Sequence, residues 1–442
     1  MNMTPKEIVQ FLDDYVIGQN DAKKTIALAL RNRYRRMRVK PELQEEIMPK
    51  NILMIGSTGV GKTEIARRLS KMMGLPFIKV EASKYTEVGF VGRDVESMVR
   101  DLVYESINLV TKEFEEKIKD KIDEEINKQI IEKLVPSLPD TASESAKESF
   151  IKTFNKMEEK LLSGELDEKK IEIEVPKKAH VEIIDSSIPM DMSSMQESLN
   201  KMLGGLNKEK IKKEVAIKDA KVLLKDVASD KLLDQEAIKV EAIKRAENGG
   251  IIFLDEIDKI ATGSKAQNQD PSKEGVQRDL LPIVEGSSVH TKFGQIKTDH
   301  ILFIAAGAFH VSKPSDLLPE LQGRFPLRVE LDNLDEEALY KILTNTKSSL
   351  LKQYKALLEV EGVELEFDDE AIHAFAKYSV TANEKTEDIG ARRLHTVIEK
   401  VIEDISFNAD EKKGEKVLVD KQLVEEKLDD IVDNEDTARY IL

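Results

Sequence analysis

The 442-residue sequence contains no cysteine. That excludes structural disulfides, thiolate zinc modules, iron-sulfur clusters and cysteine nucleophiles together, and it points to the cytosol. No stretch approaches the roughly 20 uninterrupted apolar residues of a membrane span. Met1 to Lys6 lack the basic, then apolar, pattern of a secretory leader. The chain therefore reads as cytoplasmic, with no membrane partner. A basic surplus is missing too: 68 Lys and Arg face 84 Asp and Glu, a net charge of -16. Such a balance opposes the counterion release that drives nonspecific nucleic-acid binding. The acid is unevenly placed, with -6 over residues 110–243, -13 over residues 331–442 and +3 over the remainder. Peptidase signatures are also absent, since neither a His-Glu-x-x-His helix nor a Gly-x-Ser-x-Gly elbow occurs.

At about 150 residues per domain, the length suggests two or three domains. Residues 49–109 alternate strand and helix: apolar Asn51 to Ile55, a glycine turn, a helix from Lys62, then Phe77 to Val80. The cadence resumes at Ile251 to Leu254 and at Ile301 to Ile304. Short apolar runs of this kind suit strands of a parallel α/β sheet covered on both faces. Between the two blocks the composition turns charged and helix-prone. Phe114, Ile118, Ile122, Ile126, Ile130 and Leu134 recur at every fourth residue. On a continuous 3.6-period helix that stripe drifts by about 40° per step and wraps around it. Polar Ser137 to Gly164 reads as loosely ordered, and Ile171 to Val175 alternates like a strand. Met190, Met192, Met195 and Met202 follow, either as an adaptable contact surface or as a linker with incidental methionines. Residues 1–109 and 244–330 thus form one discontinuous α/β domain, 110–243 a largely helical insertion, and 331–442 a mostly helical C-terminal domain. After Pro326 no proline occurs, and Val363 to Phe367 with Val417 to Val419 offer that last domain a small strand pair.

Gly56 to Thr63 read G-S-T-G-V-G-K-T and match the P-loop pattern, with an apolar strand before and a helix-forming run after. Glycines let the backbone curl so that its N–H groups and the helix N-terminus face phosphate oxygens. Lys62 supplies a point charge to the β- and γ-phosphates of ATP, and the Thr63 hydroxyl is a Mg²⁺ ligand. The run Ile251 to Asp258 is an apolar strand ending in acids. Asp255 there holds the Mg²⁺ shell, and Glu256 orients and polarises the attacking water. A carboxylate at Glu256 argues for hydrolysis over nucleotide sensing. Two arginines follow at telling places: Arg324, just after a glycine in Glu320 to Phe325, and Arg392, opening a C-terminal helix after Gly390. His290, His300 and His310 are evenly spaced, but no acidic or histidine partners stand at metal-ligand offsets.

With the P-loop, the Asp255-Glu256 strand end, the Glu320 to Arg324 segment and the Gly390 to Arg393 segment in this order, the chain resembles the AAA+ unfoldases. Within them it is similar to the branch whose ATPase ring serves a separate threonine peptidase. The resemblance spans nearly the whole chain, from Ile17 to Leu442. It implies an AAA+ P-loop NTPase fold and a homohexamer with ATP at subunit boundaries. It also implies an HslV-type threonine peptidase as partner and proteins as substrates. By the same resemblance, Ile17 flanks the adenine, and Gly59, Val60, Gly61, Lys62, Thr63 and Glu64 cradle phosphate. Glu320 and Arg324 act at the subunit interface, Arg324 as a finger in trans, and Arg392 is the cis sensor. Gly89, Phe90, Val91 and Gly92 look like the substrate-gripping pore loop, where the family usually has Gly-Tyr-Val-Gly. Tyr440, Ile441 and Leu442 form the peptidase-docking tail. One departure stands out: Ile301 to Ala306 carry no hydroxyl or amide where AAA+ enzymes usually place a polar sensor.

The leading expectation is an ATP-driven unfoldase that feeds a peptidase. A P-loop DNA motor would share the ATP site but needs a basic track, and only the five arginines between Arg31 and Arg38 speak for one. A nucleotide-binding scaffold without turnover is disfavoured by Glu256.

Overall fold

The computed structural model describes residues 3–48, 50–86, 93–135, 144–176, 210–262 and 271–433. The chain divides into two compact units, Met1–Ser106 with Ala242–Leu442, and Ile107–Glu241.

The first unit is built on five parallel strands in the order Phe77–Glu81, Ile251–Asp255, Leu302–Gly307, Ile52–Ile55, Leu327–Glu330. Ile52 lies opposite Ile304 on one side and Leu327 on the other. The three central strands are almost wholly buried, Ile251 to Leu254 and Leu302 to Ala306 at 1% exposure or less. That is why they read as unbroken apolar runs: helices cover both faces, so neither face needs polar side chains. Because all five strands are parallel, the segments that leave Ile55, Glu81, Asp255 and Gly307 emerge along one edge of the sheet. Such a carboxyl edge is where open α/β sheets place ligands.

The C-terminal part of this unit has its own apolar cluster, formed by Leu339, Leu343, Phe375, Val397, Val401, Leu428 and their neighbours. Helices Asp369–Lys385, Arg393–Phe407 and Lys421–Asp433 contribute to it, and the strands Glu364–Phe367 and Lys416–Val419 pair in parallel. Asp335 and Asp368 cap their helices by accepting from the Ala338 and Ala371 amides.

The second unit corrects two expectations. The every-fourth-residue stripe does not wrap around one helix. Helix Glu96–Lys117 ends, Ile118 takes φ -114°, and Lys119–Leu134 restarts. Within the second helix the drift is then small enough for Ile122, Ile126 and Ile130 to share one buried cluster with Ile171, Ile173 and Ile217. Ser137 to Gly164 is likewise not loose throughout, because Glu144–Leu162 is a helix. Its Phe150, Phe154, Met157 and Leu161, at spacings of four, three and four, pack on the same cluster. Its many polar residues are the solvent face of an amphipathic helix. The alternating Ile171 to Val175 run lies in strand Lys170–Pro176, antiparallel to Lys210–Ala216, with Ile171 and Ile173 turned inward. The methionine cluster at Met190 to Met202 lies outside the described residues.

Candidate nucleotide site at the carboxyl edge of the sheet

The P-loop leaves strand Ile52–Ile55 through Gly56 and enters helix Lys62–Met73 through Gly61, whose φ of 102° only glycine adopts without strain. Val16 Cγ1 lies 3.3 Å from where a Gly61 side chain would begin, so the segment that carries Ile17 rests on the loop. Gln19 fixes that segment, donating through Nε2 to the Asp332 carbonyl at 2.8 Å and accepting from the Asp332 amide at 2.9 Å.

Lys62 is 8% exposed and donates to the carbonyls of Gly56 at 2.5 Å and Ser57 at 2.7 Å. Burial pulls its ammonium below the ordinary lysine range. Asp255 and Asp258 oppose that pull, while Arg392 and Lys79 add to it. Thr63 Oγ1 stands 3.5 Å from Asp255 Oδ2, and Lys79 Nζ pairs with the same oxygen at 2.7 Å. A hydroxyl and a carboxylate converging at the start of a helix are hard oxygen donors that fit Mg²⁺.

Glu256 follows Asp255 in a left-handed conformation, φ 56°, unusual for a residue with a side chain. The turn sends its carboxylate out of the strand line, where Ser83 Oγ, just past strand Phe77–Glu81, donates to it at 3.0 Å. Glu64 turns its carboxylate to Arg67 and Arg68, at 2.6 Å each, and those cations hold it below the usual carboxylate range against the opposing effect of burial. The Glu64 carboxylate is therefore engaged within its own helix.

The C-terminal segment closes on the loop. Ala391 N–H donates to the Gly59 carbonyl at 3.3 Å, which brings Arg392 into the electrostatic reach of Lys62. Lys62, Thr63, Asp255, Glu256 and Arg392 are thus gathered at one edge. Arg324 is not among them. Its carbonyl accepts from Asn51 Nδ2 at 3.1 Å, and Asn51 immediately precedes strand Ile52–Ile55, at the end opposite the P-loop. At about 3.3 Å per residue, the strand separates the two by more than 10 Å. Glu320 sits exposed in the first turn of the short helix beside it. Gly89 to Gly92 and Tyr440 to Leu442 lie outside the described residues.

Four participants escaped sequence reading. Lys79 was visible only as a lone cation within an apolar strand, and Asp258 as one more acid after Glu256. Ser83 and Asn51 gave no signal, because what they touch is distant in sequence. The missing polar sensor also has a local reason. Ala305 and Ala306 are fully buried, and the next residue, Gly307, leaves room for Asp258: a side chain there would begin 2.8 Å from Asp258 Oδ1. Of the five arginines of residues 31–38, Arg33 and Arg36 are tied to distant segments, whereas Arg35 and Arg38 are exposed and bond only locally, to Asn32 and to the Tyr34 carbonyl. Arg33 donates to the Gly249, Gly250 and His300 carbonyls, Arg36 to Gln44 and His300, and Arg31 and Arg38 lie over Tyr34.

Three family profiles match the chain. They are the ATPase family associated with various cellular activities (AAA) over residues 52–175, the AAA domain (Cdc48 subfamily) over residues 171–328, and the C-terminal, D2-small domain of ClpB protein over residues 334–409. Among curated proteins, one from Campylobacter jejuni subsp. jejuni serotype O:2 is 66% identical over 443 residues, covering 100% of both chains. One from Helicobacter pylori (strain G27) is 63% identical, covering 100% of this chain and 99% of its own. Both are named ATP-dependent protease ATPase subunit HslU. No helix among the described residues is long and apolar enough to cross a membrane.

Proposed function

The chain belongs to the HslU family of AAA ATPases, and on that premise we propose that it is an ATP-dependent protein unfoldase working as a homohexamer in the cytoplasm. In this reading ATP binds at each subunit boundary. Lys62 and the backbone of Gly59 to Glu64 hold its phosphates, Ile17 flanks the base, and Arg392 reaches it in cis. Thr63 and Asp255 would hold Mg²⁺, which supplies charge neutralisation to the phosphates. Glu256, oriented by Ser83, takes the proton of the attacking water. The finger is Arg324 of the adjoining copy, with Glu320 beside it.

The observation that carries the reading is the placement of Arg324 at the far end of the P-loop strand. A cation there is remote from its own P-loop, which supports a finger that acts on the nucleotide of an adjoining copy. Hydrolysis is then coupled between neighbours, which is what a translocating ring needs. Gly89 to Gly92 grip the polypeptide, an apolar Phe90 between glycines serving because it reads no particular sequence. Tyr440 to Leu442 dock on an HslV-type threonine peptidase, where six weak tails act together through effective concentration. The DNA-motor alternative loses part of its support, because Arg33 and Arg36 are engaged within the fold and are not offered as a basic track.

The test combines the chain, ATP and an HslV-type peptidase with a folded, tagged substrate. Degradation that requires ATP hydrolysis is expected, with ATPase activity stimulated by unfolded protein. Stimulation by DNA alone, or no gain in peptidase activity, would overturn the reading.

A further inference from the structure

The backbone around Arg324 is fixed from several directions. Its N–H donates to the Leu321 carbonyl at 3.1 Å, its carbonyl accepts from Asn51, and the next residue, Phe325, is 1% exposed. The side chain, by contrast, is half exposed, and an arginine free in water distributes over many rotamers. What defines it is Glu285, the last residue of helix Pro271–Glu285. Arg324 Nε donates to Glu285 Oε1 at 2.9 Å, and Nη2 reaches the same oxygen at 2.6 Å. The pair uses one edge of the planar guanidinium and leaves Nη1 and the outward Nη2 hydrogen free of it. A helix C-terminus also favours the cation electrostatically.

We propose that Glu285 is a positioning residue for ATP hydrolysis, holding the Arg324 guanidinium by its Nε edge so that the opposite edge is presented to a phosphate of the adjoining subunit. The proposal rests on the assignment of Arg324 as a finger in trans. Glu285 touches neither nucleotide nor water in this scheme; it acts through Arg324 alone. The arrangement divides the labour sensibly. Charge on the nucleotide is met by guanidinium N–H groups, while the carboxylate removes the conformational search that would otherwise precede each turnover. A partly exposed pair is also weak enough to yield when the ring changes shape.

The experiment measures steady-state ATPase of the assembled full-length ring for Glu285→Ala, Glu285→Gln, Arg324→Ala and the double variant Glu285→Ala/Arg324→Ala. Assembly is checked by light scattering. Glu285→Ala is expected to lower kcat by about tenfold with KM for ATP nearly unchanged, because a finger acts on charge that develops in the transition state. Glu285→Gln keeps an acceptor oxygen and should recover part of the loss. In the double variant, removing Glu285 should cost nothing beyond Arg324→Ala. Full kcat in Glu285→Ala, or a loss that adds to that of Arg324→Ala, would overturn the proposal. Normal turnover by Arg324→Ala rings would instead defeat the finger assignment itself, a separately readable outcome.

Discussion

The carbonyl oxygen of Ile389 lies 2.0 Å from the point where a Gly59 side chain would begin. Gly390 is fitted as tightly in return, its missing β-carbon 2.6 Å from the Thr58 carbonyl oxygen. Both residues have positive φ, 79° and 57°. Two glycines more than 300 positions apart therefore let the phosphate loop and the C-terminal segment touch backbone to backbone, and this contact carries Arg392 to the site.

Gly59→Ala should accordingly uncouple the C-terminal segment from the loop without unfolding the sheet. Left-handed strain of about 1–2 kcal/mol adds to the clash. We expect ATPase activity to fall at least tenfold while the circular dichroism spectrum stays unchanged. Normal turnover by this variant would mean that the contact is dispensable.

Lys62→Ala and Glu256→Gln should separate binding from chemistry. The first removes the point charge on the phosphates, and nucleotide-dependent activity should drop by about 10²-fold or more. The second preserves shape but cannot accept a proton, so nucleotide binding should persist while turnover falls about 10²- to 10⁴-fold. Fluorescent-nucleotide titration and phosphate release measure the two quantities. Near-normal phosphate release by the Gln variant would remove Glu256 from the chemistry.

Mixing experiments address the finger. Rings containing both Arg324→Ala and Lys62→Ala subunits hold some boundaries that join an intact P-loop to an intact finger. ATPase activity should rise above that of either pure ring and peak at an intermediate mixing ratio. A flat baseline in verified mixed rings would count against action in trans.

His300 gives a pH dependence with a definite sign. Burial first, and Arg36 second, hold its pKa below the ordinary histidine value, with Arg33 adding and Asp299 opposing. Arg36 Nη2 donates toward His300 Nε2, so the folded state requires the neutral imidazole there. The unfolded chain binds the proton more readily, and the stability this group contributes is present above the unfolded pKa of about 6.5 and lost as pH falls below it. Thermal denaturation between pH 7.5 and 5 should therefore show a smaller fall in Tm for His300→Gln than for the native chain, since Gln accepts from Arg36 without titrating. Parallel curves would exclude the imidazole as the source.

Much of this protein is determined by local sequence. The P-loop spacing from Gly56 to Thr63, the acid-ended strand at Asp255, and the apolar runs that become parallel strands each depend on neighbours in the chain. A glycine turn or a period of two needs nothing distant. The same holds for the inward Ile171 and Ile173, whose alternation is a property of any half-buried strand. The helix Glu144–Leu162 was misread because its apolar residues are few and sparse; only packing against Ile122, Ile126 and Ile130 gives them an interior to face. Tertiary structure alone decided the rest. Strand order put Lys79 and Ser83 beside Asp255 and Glu256, although some 170 residues intervene. Asn51 and Arg324 were joined at the start of the P-loop strand, and that joining set Arg324 at the end of the strand away from its own P-loop. Burial turned Arg33 and Arg36 from an apparent basic track into ties on strand ends. In each case the deciding quantity is a distance between segments far apart in sequence, fixed by which strands pair and which faces are covered, and no local pattern encodes it.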